Sequence, residues 1–320
     1  MLMMIWSTTL TILGLMIFEI VNSPDNAVIN ASILETIKDP RARRFFVTWG
    51  MFFSVFLVRG LLPFLIYYIP NSGLGFSAAV SEFWNGNPNV MTTVRENIPL
   101  LLIPGGLFLT LLFLHWLFVE DKDVCAYRLE GLFQNIGSIW FNASALVMLI
   151  AILVLIKTCV VPPERAGNMM LAAAIGIAVF FISDGFKQNA EAAEKKLGTS
   201  ESDWAKVWLL EVIDTTFSTD GVVGAFAFTT NVVLILVGNG IGAYIVRRLT
   251  LSGSKWLSKY ALIKNGAMYA IGCLGVVMIM EGFDVPIPKW ISPLATFAIV
   301  GLFLWRSVVE NRKAKTLALA

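Results

Sequence analysis

Long apolar runs separated by short polar segments dominate the hydrophobic pattern of this chain. About 20 consecutive apolar residues in helical form cross roughly 30 Å of hydrocarbon, so such runs are candidate membrane spans. The pattern therefore predicts an all-α, polytopic transmembrane helical bundle. The nine predicted spans are Leu10–Leu34, Phe45–Ile69, Ile98–Val119, Ile139–Ile156, Met169–Ile182, Trp208–Phe228, Asn231–Ile245, Tyr260–Met280 and Ile291–Trp305.

The fifth and seventh predicted spans are short for a complete crossing, which is typical of tilted, buried or re-entrant segments. Two polar stretches, Asn71–Asn97 and Gly185–Ala205, interrupt the apolar pattern. We predict that the first caps the outer face and that the second is a cytoplasmic surface helix or a linker. A plain solvated loop is the alternative for both stretches.

Composition agrees with a location in the lipid bilayer. Hydrophobic residues make up 57% of the chain and charged residues only 14%, against about 25% charged residues in soluble domains. Mean hydropathy is +0.75, and a soluble domain of this length could not bury so much apolar surface. The first apolar run contains Glu19 and lacks a basic leader, so we interpret it as a span and not as a cleaved signal peptide.

Basic residues are distributed unevenly between the predicted loops. Most of the 24 lysines and arginines fall in alternate loops on one side of the bundle, and cytoplasmic loops are the ones enriched in these residues. This predicts an outside N-terminus and a cytoplasmic C-terminus in a plasma membrane, most simply the inner membrane of a bacterium. The net charge of +2 gives no indication of a nucleic-acid partner.

A weak internal repeat pairs two polar motifs in apolar surroundings. The pattern acid-x-x-x-Ser-x-Asp begins at Glu19 and again at Asp214, so that Asp25 matches Asp220. An odd number of spans separates the copies, which gives them opposite orientations, as in inverted-repeat transporters with sites near the midplane. The predicted division of a single transporter domain, residues 1–320, is repeat one at about 1–157, a linker region at about 158–206 and repeat two at about 207–320.

The chemistry of both motifs is acidic and rich in oxygen atoms. An acid at the centre of a span costs several kcal/mol, so these acids are expected to be compensated by a cation, a proton or a basic partner. Oxygen ligands suit Mg²⁺, Ca²⁺ and Mn²⁺, and Na⁺ or protons also remain open. The residues that carry this prediction are Glu19, Asp25, Asp214 and Asp220, with Glu211, Asn22, Ser23, Asn26, Ser218 and Thr219 as further oxygen donors.

Arginine, cysteine and histidine residues bear on which other kinds of site the chain could contain. Arg59 is predicted in mid-span, either as a counter-ion to the acidic site or as a structural partner. The three cysteines are scattered and His115 is the sole histidine, so a zinc site is not expected. No phosphate-binding loop of the Walker type is present. We therefore expect neither an enzyme nor a bound cofactor.

Several segments of the chain resemble the TerC family of membrane proteins, in the wider LysE-like transporter group. The resemblance covers most of the chain and differs at Gly221 and over residues 126–206, as in a divergent branch. The matching segments are Phe18–Ala27, Glu211–Asp220, Asp39–Arg44 with Trp49-Gly50 and Arg59, and Lys264–Tyr269 with Pro286–Pro288.

This resemblance implies an exporter of divalent cations, above all Mn²⁺, that works by alternating access with ion coupling. By motif position it implies an ion site formed by Glu19, Asp25, Asn26, Asp214, Ser218 and Asp220. The expected partners are a divalent cation and the lipid bilayer. The sequence leaves the ion, the coupling ion and the oligomeric state open, a homo-oligomer included.

Two other classes of function remain as alternatives. A membrane module could deliver metal or act as a scaffold without transport. An intramembrane aspartyl protease would use two aspartates that share a proton, although the GxGD motif expected of that class is absent from the sequence. Measurement of ion flux in liposomes separates a transporter from both.

Overall fold

The described residues of the computed structural model are almost entirely helical, and no β-strand occurs among them. This confirms the prediction of an all-α bundle. The described residues are 2–22, 27, 30–31, 33–50, 52–53, 60–68, 71–120, 122, 127, 130–133, 137–160, 163–197, 201–229, 231–257, 260, 262–288 and 291–318.

The α-helices are numbered in chain order. Five short or N-terminal helices come first: α1 Leu2–Asn22, α2 Pro40–Phe45, α3 Leu62–Tyr68, α4 Phe76–Asn85 and α5 Pro88–Glu96. The long helices follow: α6 Pro99–Phe118, α7 Ser138–Cys159, α8 Pro163–Leu197, α9 Glu201–Phe228, α10 Val232–Leu257, α11 Ile263–Gly282 and α12 Ile291–Ala318. A π-helical turn, Phe46–Gly50, follows α2.

Five helical stretches of the described chain are long and apolar enough to cross a membrane. They coincide with the third, fourth, fifth, seventh and eighth predicted spans, and α9 and α12 lie where the sixth and ninth were predicted. Helix α1 begins eight residues before the first predicted span and overlaps it over residues 10–22. The fifth and seventh spans are longer than expected, because α8 and α10 continue beyond the predicted ends. The five stretches are Thr92–Phe118, Ile139–Cys159, Pro163–Gly185, Val232–Gly253 and Ile263–Gly282.

Helix α7 displays the lipid-facing surface of the bundle most clearly. Only 22% of its apolar stretch is buried inside the protein, and Ile139, Leu146, Val147, Ile150 and Val154 are all exposed. Soluble monomers rarely expose a contiguous apolar surface of this kind. In a bilayer the same surface contacts acyl chains, so the helix is stable there without further protein cover.

Helix α6 lies at the centre of the bundle, packed against α8 and α11. Glycines bring these helices into close contact: a Cβ atom at Gly106 would lie 2.7 Å from the carbonyl oxygen of Gly275 in α11. A Cβ atom at Gly176 of α8 would lie 2.5 Å from Cα of Pro104. Small residues at such crossings are typical of membrane helices, which associate mainly through van der Waals packing.

The order of contacts along these helices gives their relative directions. Phe108 and His115 of α6 meet Phe180 and Asp184 of α8 in ascending order, so α6 and α8 run parallel. The contacts between α6 and α11 run in descending order, so those helices are antiparallel. Helices α6, α8 and α11 correspond to the third, fifth and eighth predicted spans. If successive spans cross the membrane in opposite directions, the third and fifth are parallel and the third and eighth antiparallel, as observed.

A second glycine contact joins α1 to α10, far apart in the sequence. A Cβ atom at Gly238 would lie 2.6 Å from Cβ of Leu15, and one at Gly242 would lie 2.6 Å from Cβ of Glu19. The two helices therefore run parallel, with their backbones close over a full turn. This contact presses Glu19 directly against α10.

The first polar stretch between spans is helical and not a plain loop. Helices α4 and α5 bury Ala79, Phe83, Val90 and Val94 in a cluster that also contains residues of α1, α9 and α10. Gly86, with φ +68°, ends α4 in the left-handed conformation that glycine adopts at little cost. The stretch is polar in overall composition, but its apolar residues recur at helical spacing. These apolar residues pack α4 and α5 against the rest of the cluster.

The second polar stretch continues α8 to Leu197 and leads into α9. Near the start of α9, the buried Asp203 accepts hydrogen bonds from the backbone amides of Lys38 (2.9 Å) and Asp39 (2.7 Å). This holds the segment before α2 against α9. The π-helical turn that follows is thereby positioned beside the middle of α9.

The glycine contact between α1 and α10 yields a prediction about stability. We expect Gly242→Ala to lower the free energy of unfolding by about 1–3 kcal/mol, because the new methyl group overlaps Glu19 and the Met16 carbonyl oxygen. Gly253→Ala on the same helix is the matched control, since the described chain places no atom from outside that turn of the helix within 4 Å of its Cβ position. Thermal unfolding in detergent measures both, and equal losses for the two variants would contradict the close contact.

Candidate functional site

Glu19 is buried in the contact between α1 and α10. Its residue surface is 2% exposed, and its Cβ and Cγ atoms lie beside Gly242. The glycine is needed here, because a larger residue would push the acid away from α10. The sequence prediction of a buried acid at this position is confirmed.

Asp214 is also buried, on α9, and its partner is Arg247 of α10. Both residues are 4–5% exposed. The guanidinium donates a short hydrogen bond from Nη2 to Oδ2 of Asp214 and one from Nη1 to the Phe46 carbonyl oxygen. It also lies 4.2 Å from the centre of the Phe46 ring. Charge pairing, a backbone acceptor and an aromatic face together stabilise this cation away from water.

Glu211 lies one turn before Asp214 on α9 and faces the same guanidinium. Its Oε1 atom is 3.5 Å from Nη1 of Arg247, and neither carboxylate oxygen accepts a hydrogen bond from the described residues. Gly50, at the end of the π-helical turn, provides the space: a Cβ atom there would overlap the Glu211 carboxylate and lie 3.0 Å from Arg247. Glycine at position 50 therefore brings the acid and the base together.

Glu19, Glu211 and Asp214 form an acidic cluster against α10. Glu211 and Asp214 face Arg247 of α10, and Glu19 packs on Gly242 of the same helix. With every group ionised, the carboxylates exceed the guanidinium in charge. In a medium of low dielectric such an excess is costly. To neutralise Glu211 as well as Asp214 takes a positive charge beyond that of Arg247.

Asn239 adds a buried amide on the same face of α10, one turn before Gly242. It is 0% exposed, and neither its amide oxygen nor its amide nitrogen has a hydrogen-bond partner among the described residues. A buried polar group without a partner costs about 1–3 kcal/mol. Most native buried polar groups are paired, so such an exception calls for a functional explanation.

The other predicted site residues lie outside what the structure describes. This applies to the whole of Ser23, Asp25, Asn26 and Arg59 and to the side chains of Asn22, Ser218, Thr219 and Asp220. Among the described side chains, no three or more of His, Cys, Asp and Glu form a group that could hold a metal ion. A site of that kind at this place needs ligands from the remaining predicted residues.

Arg247 and Asn239 are not among the site residues that the sequence predicts. The seventh predicted span ends at Ile245, which places Arg247 and Arg248 in a cytoplasmic loop. A signal was nevertheless available: residues 231–245 are too few for a full crossing, so the helix had to extend past position 245. That extension places Arg247 on the buried face and leaves Arg248 exposed.

Two other buried polar pairs lie away from this cluster. His115 of α6 lies 3.4 Å from Asp184 of α8, among aromatic rings that include Phe141. Glu130 is fully buried and accepts a 2.9 Å hydrogen bond from the amide of Asn265 on α11. In both pairs each side chain has a partner on another segment of the chain. We therefore interpret both pairs as contacts that hold neighbouring segments together.

The Arg247 pairs yield a prediction about stability. We expect Arg247→Met to lower the free energy of unfolding by about 3–5 kcal/mol, because it leaves buried carboxylates without their base. Arg248→Met is the matched control, since the exposed Arg248 contacts only Tyr244 of its own helix among the described interactions, and should cost under about 0.5 kcal/mol. Denaturant unfolding in detergent compares them. A loss as small as that of the control would show that the buried pairs contribute little.

The comparisons with known proteins place the chain among membrane proteins without a described activity. It is 28% identical to the uncharacterized membrane protein YceF of Bacillus subtilis (strain 168) over 120 residues, which are 37% of this chain and 45% of that protein. The chain thus spans under half the length of this curated relative. No solved structure matches the chain.

A family match covers nearly the whole chain. Residues 24–314 match the family described as protein of unknown function, DUF475. The expectation of TerC membership is wrong, because the match is to this other family. The motifs behind that expectation are short acidic patterns in apolar helices, which recur wherever a membrane bundle buries charge and so do not identify a lineage. The chain belongs to the DUF475 family of proteins of unknown function.

Proposed function

We propose that this membrane protein is a secondary transporter for a divalent cation that binds at the acidic cluster between α1, α9 and α10. The observation that carries the proposal is that α1 and α9 each bury an acid, Glu19 and Asp214, against α10, and that Glu211 lies 3.5 Å from the Arg247 guanidinium that pairs with Asp214. Ionisable groups inside membrane bundles are rare and mark ion pathways and relays. A purely structural role would be served at lower cost by apolar residues.

Arg247 would act as the internal counter-ion of the site. When no cation is bound, its guanidinium neutralises Asp214 and part of the charge of Glu211. An arriving divalent cation competes for the same carboxylates, so Arg247 would have to withdraw as the cation binds. The carboxylates of α9 would thus bind either Arg247 or the divalent cation. Exchange between the two would link ion binding to a shift of α10 against α9.

The choice of ion follows from the ligand atoms. Carboxylate, amide and hydroxyl oxygens suit Mn²⁺, Ca²⁺ and Mg²⁺. Mn²⁺ is the preferred test ion, because Mg²⁺ gives up its hydration shell reluctantly. Export against an inside-negative potential costs about 2.3 kcal/mol per charge per 100 mV, so a coupling ion is required, most simply H⁺ carried by the same carboxylates.

The first test measures ion flux after a change of charge at constant shape. We expect Glu19→Gln to abolish Mn²⁺ flux in proteoliposomes while the protein stays folded, because the amide keeps the volume and loses the charge. Glu164→Gln, at an exposed acid in the first turn of α8, is the control and should transport normally. Asp25→Asn and Asp220→Asn carry the same expectation from the sequence. Flux of Mn²⁺, Ca²⁺ and Mg²⁺ equal to that of empty liposomes would rule out transport and favour a delivery or scaffolding module.

The second test concerns pH. Protons and metal ions compete for the same carboxylates, so Mn²⁺ affinity should fall as pH drops from about 8 to about 6, and binding should release protons. Calorimetry in two buffers of different ionisation enthalpy measures both quantities. Affinity that does not change over this range, with no proton release, would exclude proton coupling at this site while leaving metal binding in place.

A further inference from the structure

Asn239 stands out among the buried polar residues because the described chain gives it no partner. Asn265, on α11, is buried to a similar degree but donates to Glu130 at 2.9 Å. Asn239 is 0% exposed, and both polar atoms of its amide lack a hydrogen bond among the described residues. Packing alone does not account for an amide at this position, since an apolar residue would fill it without desolvating polar atoms.

The position of Asn239 relates it to the acidic cluster. It precedes Gly242 by three residues, so the two lie about 4.5 Å apart along the helix axis, and Glu19 packs on Gly242. Helices α1 and α10 run parallel, and helical side chains lean toward the N-terminus of their helix. Both side chains lean in the same direction, so Glu19 and Asn239 lie about one helical turn apart along the contact between α1 and α10.

We propose that Asn239 is a ligand of the transported divalent cation, its amide oxygen acting beside the Glu19 carboxylate; this inference rests on the transport function proposed above. An amide oxygen is a hard, neutral donor of the kind that Ca²⁺ and Mn²⁺ accept together with carboxylates. It adds a ligand without adding negative charge. That property matters next to α9, where the described side chains set two carboxylates, Glu211 and Asp214, against the guanidinium of Arg247.

The test compares two buried asparagines that differ in their partners. Asn239→Leu removes the amide at the proposed site, and Asn265→Leu removes a buried amide of the same kind elsewhere. Purified full-length protein in detergent is titrated with Mn²⁺ by calorimetry, and its melting temperature is recorded with and without Mn²⁺. Should Asn239→Leu fail to fold, Asn239→Ala takes its place under the same criteria.

The proposal predicts opposite outcomes for the two positions. Asn239→Leu should melt at or above the wild-type temperature without metal, bind Mn²⁺ at least about tenfold more weakly and lose most of the melting shift that Mn²⁺ produces. Asn265→Leu should melt at a lower temperature, because Glu130 loses its donor, and should keep the wild-type Mn²⁺ affinity.

Two results would overturn the inference, and they are distinguishable. If wild-type protein binds and transports Mn²⁺ and Asn239→Leu binds it within about twofold of wild type, Asn239 is no ligand and the transport function stands. If wild-type protein neither binds nor transports Mn²⁺, Ca²⁺ or Mg²⁺, the proposed function fails and the assignment of Asn239 fails with it.

Discussion

Carboxylates buried between membrane helices need a positive charge nearby, and in this protein Arg247 supplies it. The idealised cost of moving an isolated ion into a low-dielectric interior is of order 20 kcal/mol, far above the total stability of most proteins. The arrangement of α9, α10 and the turn after α2 meets this constraint. Asp214 binds the guanidinium, the Phe46 carbonyl accepts from it and the Phe46 ring covers it.

Close approach of the helices makes this arrangement possible. Within a bilayer, helices gain little from hiding apolar surface, because lipid tails are as apolar as leucine. Glycines replace that driving force with direct packing at Gly242 against Glu19, at Gly50 beside Glu211 and at Gly106 against Gly275. Two of these three contacts position an acid of the cluster. Packing and electrostatics therefore depend on the same residues.

The sequence predicted the helical class and the place of most long helices, because apolar runs of span length have few other interpretations. It also identified Glu19 and Asp214 as buried acids. The helices over residues 76–96 were missed, since a few apolar residues at helical spacing stand among many polar ones. The division into two inverted repeats stays a prediction.

The partners of the acids could not be predicted for a physical reason. Which residue neutralises Asp214 depends on the rotation and the end of α10, and these follow from contacts with α1 and α9 that a local pattern does not contain. Arg247 and Arg248 are adjacent and chemically identical, yet one is 4% exposed and paired while the other faces outward. Only the tertiary arrangement distinguishes them.

The parallel contact between α1 and α10 also affects how the protein is made. The ribosome completes α1 long before α10, and at about 5–20 residues per second the interval is on the order of 10–40 s. During that time Glu19 resides in a helix whose glycine-rich partner does not yet exist. The early helix therefore enters the membrane before the helix that covers its acid has been made. Assembly of this bundle therefore requires that α1 stay in the membrane until α10 has been inserted beside it.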